Sequence, residues 1–391
     1  MARHIAANFI NFLIVLLVAV ASFFYWAKAE FVNPGPLAQS IFVEVPRGGS
    51  VSRLAAELKA QGAVTHAMIM RVAANYNGQA EKLKFGNYEI PAGASMSQIL
   101  DIVTKSVRSV YKYRYTYNIS IKTASLRLEE REANGTGYER LVSQSVDKPL
   151  PIEYKTLVEA RTPINYRITV AEGTTSWQIV EMLKKADFLS GTVKNIPPEG
   201  MLAPDTYEVR RGTPVNKILR QMLESQERIL LEEWENRAPD LPFDTPAAAL
   251  TLASIIEKET SVAEERAEVA AVFVNRLNKG MKLQMDSTVE YGLTDGQGFL
   301  NRGLRRSELS KKTPYNTYVI KGLPPGPIGN PRRDAIRATL NPNKSDNVYF
   351  VANGTGGHAF AETLVEHNAN VAKWRKIEAE KRRQQLNNSG G

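Results

Sequence analysis

The sequence predicts an α+β protein carried behind an N-terminal transmembrane helix. Three observations lead there. Residues 9–27 contain no charged side chain. A strand–helix–strand–helix pattern occurs twice further along. Residues 245–292 place helix start and stop signals around a long apolar run.

Composition narrows the function classes. A chain of 391 residues can build more than one core, so two or three domains are expected. The net charge of +9 and pI near 9.4 favour anionic partners: nucleic acid, lipid headgroups or an acidic wall polymer. No nucleic-acid-binding signature accompanies the charge, so no nucleic-acid partner is expected. Cysteine is absent, which removes disulfides and thiolate catalysis. Only four histidines occur and none has metal-ligand spacing, so neither a metal nor another cofactor is expected.

The apolar run 9–27 is long enough to cross a bilayer at about 1.5 Å per residue. Arg3 precedes it, whereas Lys28 and Glu30 nearly cancel after it, which directs residues 1–8 to the cytoplasm. Tyr25 and Trp26 would sit at the far interface. Ala27-Lys28-Ala29 also resembles a signal-peptide cleavage site, but the run exceeds a usual signal core and favours a retained anchor.

After a Pro- and Gly-containing linker over 31–40, Phe42 to Gly48 reads as a strand and 51–61 as an amphipathic helix. Ile168 to Gly173 and 177–185 repeat that pair. Phe85 to Gly93 with helix 96–104 is matched in turn by Pro204 to Gly212 with helix 215–223. Glycine supplies the turn after each strand. Glu199 and Asp205 to Tyr207 can line a groove or merely form a turn.

Between the copies, Tyr111, Tyr113, Tyr115, Tyr117, Ile119 and Ile121 alternate with polar residues, the period of a half-buried strand. A turn at 134–137 completes an expected β-hairpin insert over 106–165. Its tyrosines either stack on sugars or form an ordinary apolar strand face.

Thr245 and Pro246 mark an N-cap and first helical residue. Ser261 with Glu264 reads as a capping box restarting a helix that Gly280 ends. Glu257 shares a helix face with Leu250, Ala253 and Ser254, and desolvation there would keep its carboxyl protonated, as a general acid requires. Glu259 points toward Leu252 and Ile255, so periodicity alone does not choose between the two. Both can equally be helix-end ion-pair partners of Lys258, Arg266 or Arg276. Glu257 is the candidate catalytic residue, with Asp286 the one possible second carboxylate.

Several motifs in register resemble the catalytic domain of the MltG (YceG-like) endolytic murein transglycosylases. They are Ala253-Ser254-Ile255-Ile256-Glu257-Lys258-Glu259-Thr260, Val272 to Leu277, and Leu283-Gln284-Met285-Asp286-Ser287-Thr288-Val289-Glu290-Tyr291-Gly292. Thr313 to Tyr318, Gly322 to Ile328, Gly356-Gly357-His358-Ala359-Phe360 and Glu366-His367-Asn368 extend the match.

The resemblance implies a YceG-like catalytic domain with a helical core over 166–375, a LysM-like αβ subdomain over 41–105, and a β-rich insert between them. It implies an inner-membrane location with the catalytic part in the periplasm, peptidoglycan glycan strands as substrate and peptidoglycan synthases as partners. Gln284, Asp286, Ser287 and Thr288 would face the catalytic glutamate and bind sugar, or else begin a helix. Tyr315, Asn316 and Tyr318 offer stacking faces and an amide, or anchor a loop. Asn330, past the stiff Pro324-Pro325-Gly326-Pro327 run, is a further candidate contact.

In such enzymes one acid protonates the glycosidic oxygen, then takes the C6 hydroxyl proton as that hydroxyl closes on C1, leaving a 1,6-anhydro end. A muramidase using Glu257 with Asp286, and a non-catalytic wall-binding scaffold, are the alternatives. His358 and His367 read as structural. Residues 376–391 read as a fraying helix that passes into a disordered tail.

Overall fold

The computed structural model describes residues 2–105, 109–132 and 137–389, with side chains described from 8 to 385. The chain divides into two compact units. One comprises Met1–Tyr115, Arg127–Ser143 and Leu150–Asn165; the other comprises Thr116–Leu126, Gln144–Pro149 and Tyr166–Gly391.

The first unit begins with helix α1 (Ala2–Val32). Its stretch Asn8–Val32 is long and apolar enough to cross a membrane, and its apolar window is left uncovered by the rest of the protein. Strand β1 (Ile41–Val45), helices α2 (Val51–Ala60) and α3 (Ala67–Tyr76), strand β2 (Gly86–Ile90) and helix α4 (Met96–Lys105) follow. Leu58, Met70, Ile90, Ile99 and Leu100 are fully buried in the core they share. Strands β3 (Tyr113–Ile119), β4 (Ala124–Arg131) and β5 (Tyr138–Ser145) run through the division between the units, and helix α5 (Ile152–Glu159) returns to the first.

The second unit holds β6 (Ile164–Val170) from Tyr166 onward, α6 (Ser176–Lys184), β7 (Leu189–Ser190), β8 (Thr206–Val209), β9 (Thr213–Pro214) and the long α7 (Val215–Glu235). Helices α8 (Pro246–Glu259), α9 (Arg266–Asn278), α10 (Asp286–Thr294), α11 (Arg306–Leu309) and α12 (Arg333–Leu340) come next. The hairpin β10 (Tyr349–Ala352) and β11 (His358–Ala361) leads into α13 (Leu364–Ser389). Helix α8 lies at the middle of this unit's apolar core, with every residue from Ala249 to Ile256 buried.

The internal duplication is legible in three dimensions. β1 pairs antiparallel with β2, setting Val43 against Tyr88, and β6 pairs antiparallel with β8, setting Ile168 against Tyr207. Both tyrosine hydroxyls donate to the carbonyl four residues back, Tyr88 to Lys84 at 2.8 Å and Tyr207 to Ala203 at 2.7 Å. The turns leaving β1 and β6 need a left-handed residue, and glycine supplies it, with φ of 73° at Gly48 and 72° at Gly173. Ser50 and Thr175 then cap the helix that follows in each copy.

Several expectations change. Segment 106–165 is not a lone hairpin: it supplies three strands and a helix, and the sheet order is β5-β4-β3-β6-β8. The expected turn residues 134–136 lie outside the described residues. The alternating side chains make this arrangement, because Tyr115, Tyr117 and Ile119 face a core rather than solvent. Tyr115 stacks on Tyr154 at 4.3 Å, and the Tyr117 hydroxyl donates to the Met182 carbonyl at 2.8 Å, so these rings are structural.

Ser261 does not cap α9. Thr260 accepts the Val262 N–H at 3.1 Å instead, and a 3-10 turn (Ala263–Glu265) enters the helix. The helix expected to fray after residue 376 runs as α13 to Ser389, since Ala, Glu, Lys, Arg and Gln all favour helix.

Candidate active site

The end of α8 presents three consecutive charged side chains, and each meets different neighbours. A helix buried all round has no unique apolar face, so its contacts decide what its carboxyls can do.

Glu257 is enclosed. Its side chain is 4% exposed, although the backbone at the helix end remains accessible. One oxygen accepts the Arg332 N–H at 2.8 Å, and the other lies 3.8 Å from the guanidinium of Arg266, itself buried. Burial pushes the carboxyl pKa up, while the Arg332 N–H and Arg266 pull it down, and the net direction is upward. A nearby cleft of about 350 Å³ is lined by Glu172 and Arg332, joined by a 2.7 Å ion pair.

Glu259 faces the segment that begins α10. Its Oε1 accepts the Ser287 hydroxyl at 2.6 Å. Asp286 is exposed beside it and accepts the Tyr318 hydroxyl at 2.7 Å. Burial again raises the pKa; the Ser287 hydrogen bond lowers it, the like charge of Asp286 raises it, and His358 and Lys258 lower it. The net direction is upward here too, so pKa does not separate the two glutamates.

Hydrogen-bond chemistry does separate them. An acid that must later act as a base needs neighbours that suit both protonation states. The Ser287 hydroxyl can donate to a carboxylate or accept from a carboxylic acid. An N–H only donates, and a guanidinium is permanently cationic, so both partners of Glu257 suit its ionised form. Glu259, rather than the expected Glu257, therefore has the surroundings of an acid–base group. Glu257 has those of a fixed counter-ion that holds Arg266 and the start of α12.

The other expected contacts divide by burial. Gln284 and Asp286 are exposed, while Ser287, Tyr315 and Tyr318 are half-buried. Gln284 sits at φ 57°, and its N–H is held by the Thr317 carbonyl. Thr288, Asn316 and Asn330 are fully buried, which takes them out of the ligand-facing set. The Thr288 hydroxyl bonds Met285 and Thr317. The Asn316 amide donates to the carbonyls of Glu308, Leu309 and Lys311 and accepts the Tyr318 N–H. These amides pin loops, as buried polar groups must be paired. The helix-cap reading of Asp286 or Ser287 also fails, since Met285 occupies the cap position and no side chain caps it.

One group escaped the sequence reading. Glu265 grips His358 twice, accepting its N–H at 2.9 Å and meeting Nδ1 at 2.7 Å, and so fixes a ring whose charge reaches Glu259. Glu199, placed by the sequence either in a groove or in a turn, is a further desolvated carboxyl, accepting from Ser176 N, Gly200 N, Asn330 Nδ2 and the Tyr291 hydroxyl. Lys258 stands between Glu290, Glu199 and Glu259, and burial lowers its pKa. Pairings across 90 or more residues leave no local trace in a sequence.

One pH effect follows. If Glu259 must be protonated before it acts, kcat/KM falls as pH rises through its pKa, which burial holds above the ordinary carboxylate range. Asp286→Asn removes the like charge that helps to raise it, so the alkaline limb moves to lower pH. His358→Gln removes a charge that lowers it and moves the limb the other way. A pH profile of kcat/KM for the three proteins checks the sign; identical limbs would mean that neither group acts on the titrating acid.

Comparison with known proteins places the chain. The model of the YceG-like family matches residues 43–373. A Bacillus subtilis protein named endolytic murein transglycosylase is 31% identical over 326 residues, covering 75% of this chain and 86% of its own length. A Streptococcus pneumoniae protein of the same name is 28% identical over 385 residues, covering 95% of this chain, and this chain spans 65% of its length. A solved YceG-like protein of Listeria monocytogenes aligns with TM-score 0.45 and 26% identity over 85% of this chain and 98% of its own. With most of its length matched by one family model, and a relative above 30% identity covered over most of that relative's length, the chain belongs to the YceG-like family.

Proposed function

We propose that the protein is a membrane-anchored endolytic murein transglycosylase. It cleaves the MurNAc–GlcNAc β-1,4 bond of nascent glycan strands by intramolecular attack, leaves 1,6-anhydroMurNAc ends and stops strand growth. The observation that carries this reading is the Glu259–Ser287 pair beside exposed Asp286 and Gln284, in a chain of the YceG-like family. The name borne by the Bacillus and Streptococcus relatives supports the substrate class.

In this mechanism protonated Glu259 delivers its proton to the leaving glycosidic oxygen, and the Ser287 hydroxyl turns to stabilise the carboxylate that forms. The carboxylate then takes the proton of the C6 hydroxyl as that oxygen bonds C1. The nucleophile belongs to the same sugar, so no water has to be positioned. Asp286, Tyr318 and Gln284 hydrogen-bond the flanking sugar, and Tyr315 offers a ring face.

The same reading assigns the parts of the chain. Residues 9–27 form a retained single-pass anchor in the cell inner membrane, with 1–8 in the cytoplasm and the catalytic region 166–375 in the periplasm. Residues 41–105 form a LysM-like subdomain, and peptidoglycan synthases supply the strands that are cut.

Mass spectrometry of muropeptides from digested strands tests it. The expected product is one water lighter than the reducing-end product of hydrolysis. Reducing ends would instead indicate a muramidase in which Asp286 acts as the second carboxylate, and undigested strands would indicate a wall-binding scaffold.

A further inference from the structure

Helix α3 leaves one side of the first unit uncovered. Met68, Val72 and Tyr76 are 68%, 58% and 91% exposed. Their spacing of four lines them up along one side of the helix, while Met70 and Ala74 on the other side are sealed in the core. Arg71 and Asn75 flank the row and are exposed as well. Single exposed apolar residues are ordinary, whereas a continuous row calls for a cover.

Other contacts in the same unit indicate what covers it. The Trp26 ring of α1 meets the ring of His66, the residue preceding α3, edge to face at 5.2 Å. The Thr65 hydroxyl donates to the Glu30 carboxylate. Phe31 packs on the core that holds Met70 and Ala74. The end of the apolar stretch Asn8–Val32 is thus tied to the start of α3 by three neighbouring contacts. In a spanning helix, Trp26 marks the membrane–water boundary, where aromatic rings concentrate. Helix α3 therefore starts at that boundary, and its row of three runs about 12 Å at 1.5 Å per residue.

We propose that the Met68–Val72–Tyr76 side of α3 lies in the headgroup region of the bilayer that α1 spans, a second membrane contact beside the anchor. Met68 and Val72 enter the acyl boundary, Tyr76 keeps its hydroxyl among the headgroups, and Arg71 meets lipid phosphate. The first unit is then held against the membrane rather than swinging on a tether. The proposal rests on α1 being a retained span, and its test separates the two ideas.

The chain has no native cysteine, so single cysteines can carry an environment-sensitive fluorophore. Full-length protein with Val72→Cys, Tyr76→Cys or Leu16→Cys is reconstituted in phosphatidylethanolamine–phosphatidylglycerol vesicles. Each label is challenged with nitroxide-bearing lipid and with aqueous iodide, and Met68→Cys serves as a further position if either α3 variant unfolds early. Labels at 72 and 76 are expected to lose about half their fluorescence or more to the nitroxide lipid and to be shielded from iodide, as an interfacial helix face would be. Labels at 72 and 76 that iodide quenches and the nitroxide lipid leaves untouched, with the label at 16 quenched by lipid, overturn the proposal and keep the span; that result would assign the face to a protein partner. A label at 16 that lipid does not quench overturns both.

Discussion

Glu259→Gln is expected to lower kcat by about 10²–10⁴-fold, the usual contribution of a positioned general acid–base group, with little change in KM or thermal stability. The amide keeps the shape of the carboxyl and can still pair with the Ser287 hydroxyl, so the site stays folded while the transferable proton is gone. Glu257→Gln should behave differently. It leaves Arg266 buried opposite a neutral amide, so its effect is expected in the melting temperature, because a buried charge loses its counter-ion. Its turnover, corrected for the folded fraction, should fall less than that of the Glu259 variant. Steady-state kinetics on defined glycan strands, beside thermal melts of both variants, separates the roles. Equal turnover losses with equal melts would remove the distinction.

Asn330→Ala is the second large effect, and it should appear in stability rather than in substrate affinity. The Asn330 amide donates to Thr174 O at 2.9 Å, to Ser176 Oγ at 3.2 Å and to Glu199 at 3.3 Å, and it accepts the Leu202 N–H at 2.8 Å. The backbone of Asn330 ties the same loop down, its N–H donating to the Thr174 carbonyl and its carbonyl accepting the Gly173 N–H. Deleting the side chain strands a buried N–H, a carbonyl and part of the Glu199 shell, at about 3 kcal/mol in total. A melting temperature lower by roughly 5–10 °C is expected for a unit of this size. KM should change little among molecules that remain folded. A raised KM with an unchanged melt would restore Asn330 as a ligand contact.

Much of this architecture is legible in the chain itself, because it rests on local chemistry. Thr245 and Pro246 start α8 as capping rules require, and Gly280 follows the end of α9. The twofold strand–helix pattern survives down to matching tyrosine hydrogen bonds at Tyr88 and Tyr207. The choice between Glu257 and Glu259 was not legible. Periodicity identifies an apolar side, and α8 is apolar on all of them, so direction carried no information until Arg266, Arg332 and Ser287 were in place.

Burial of amides was equally hidden. Asn316 and Asn330 look like sugar contacts in a loop-rich, Pro- and Gly-containing stretch, yet every donor is claimed by a distant backbone or side-chain group. The tyrosines of 111–121 carried an ambiguity of the same kind. Stacking on Tyr154 and bonding to Met182 make Tyr115 and Tyr117 core residues. Where a side chain's role depends on what it meets across the fold, composition and spacing give a short list and the packing makes the selection.

The account turns on Glu259 keeping its proton in a half-buried site whose hydroxyl neighbour accepts either charge state. Infrared difference spectra of the protonated carboxyl stretch, recorded across pH for the wild type, Glu259→Gln and Glu257→Gln, test this most directly. A band that persists above the ordinary glutamate range, follows the alkaline limb of kcat/KM, and disappears in Glu259→Gln alone is the predicted result. A band that survives Glu259→Gln unchanged, or vanishes only with Glu257→Gln, would contradict it.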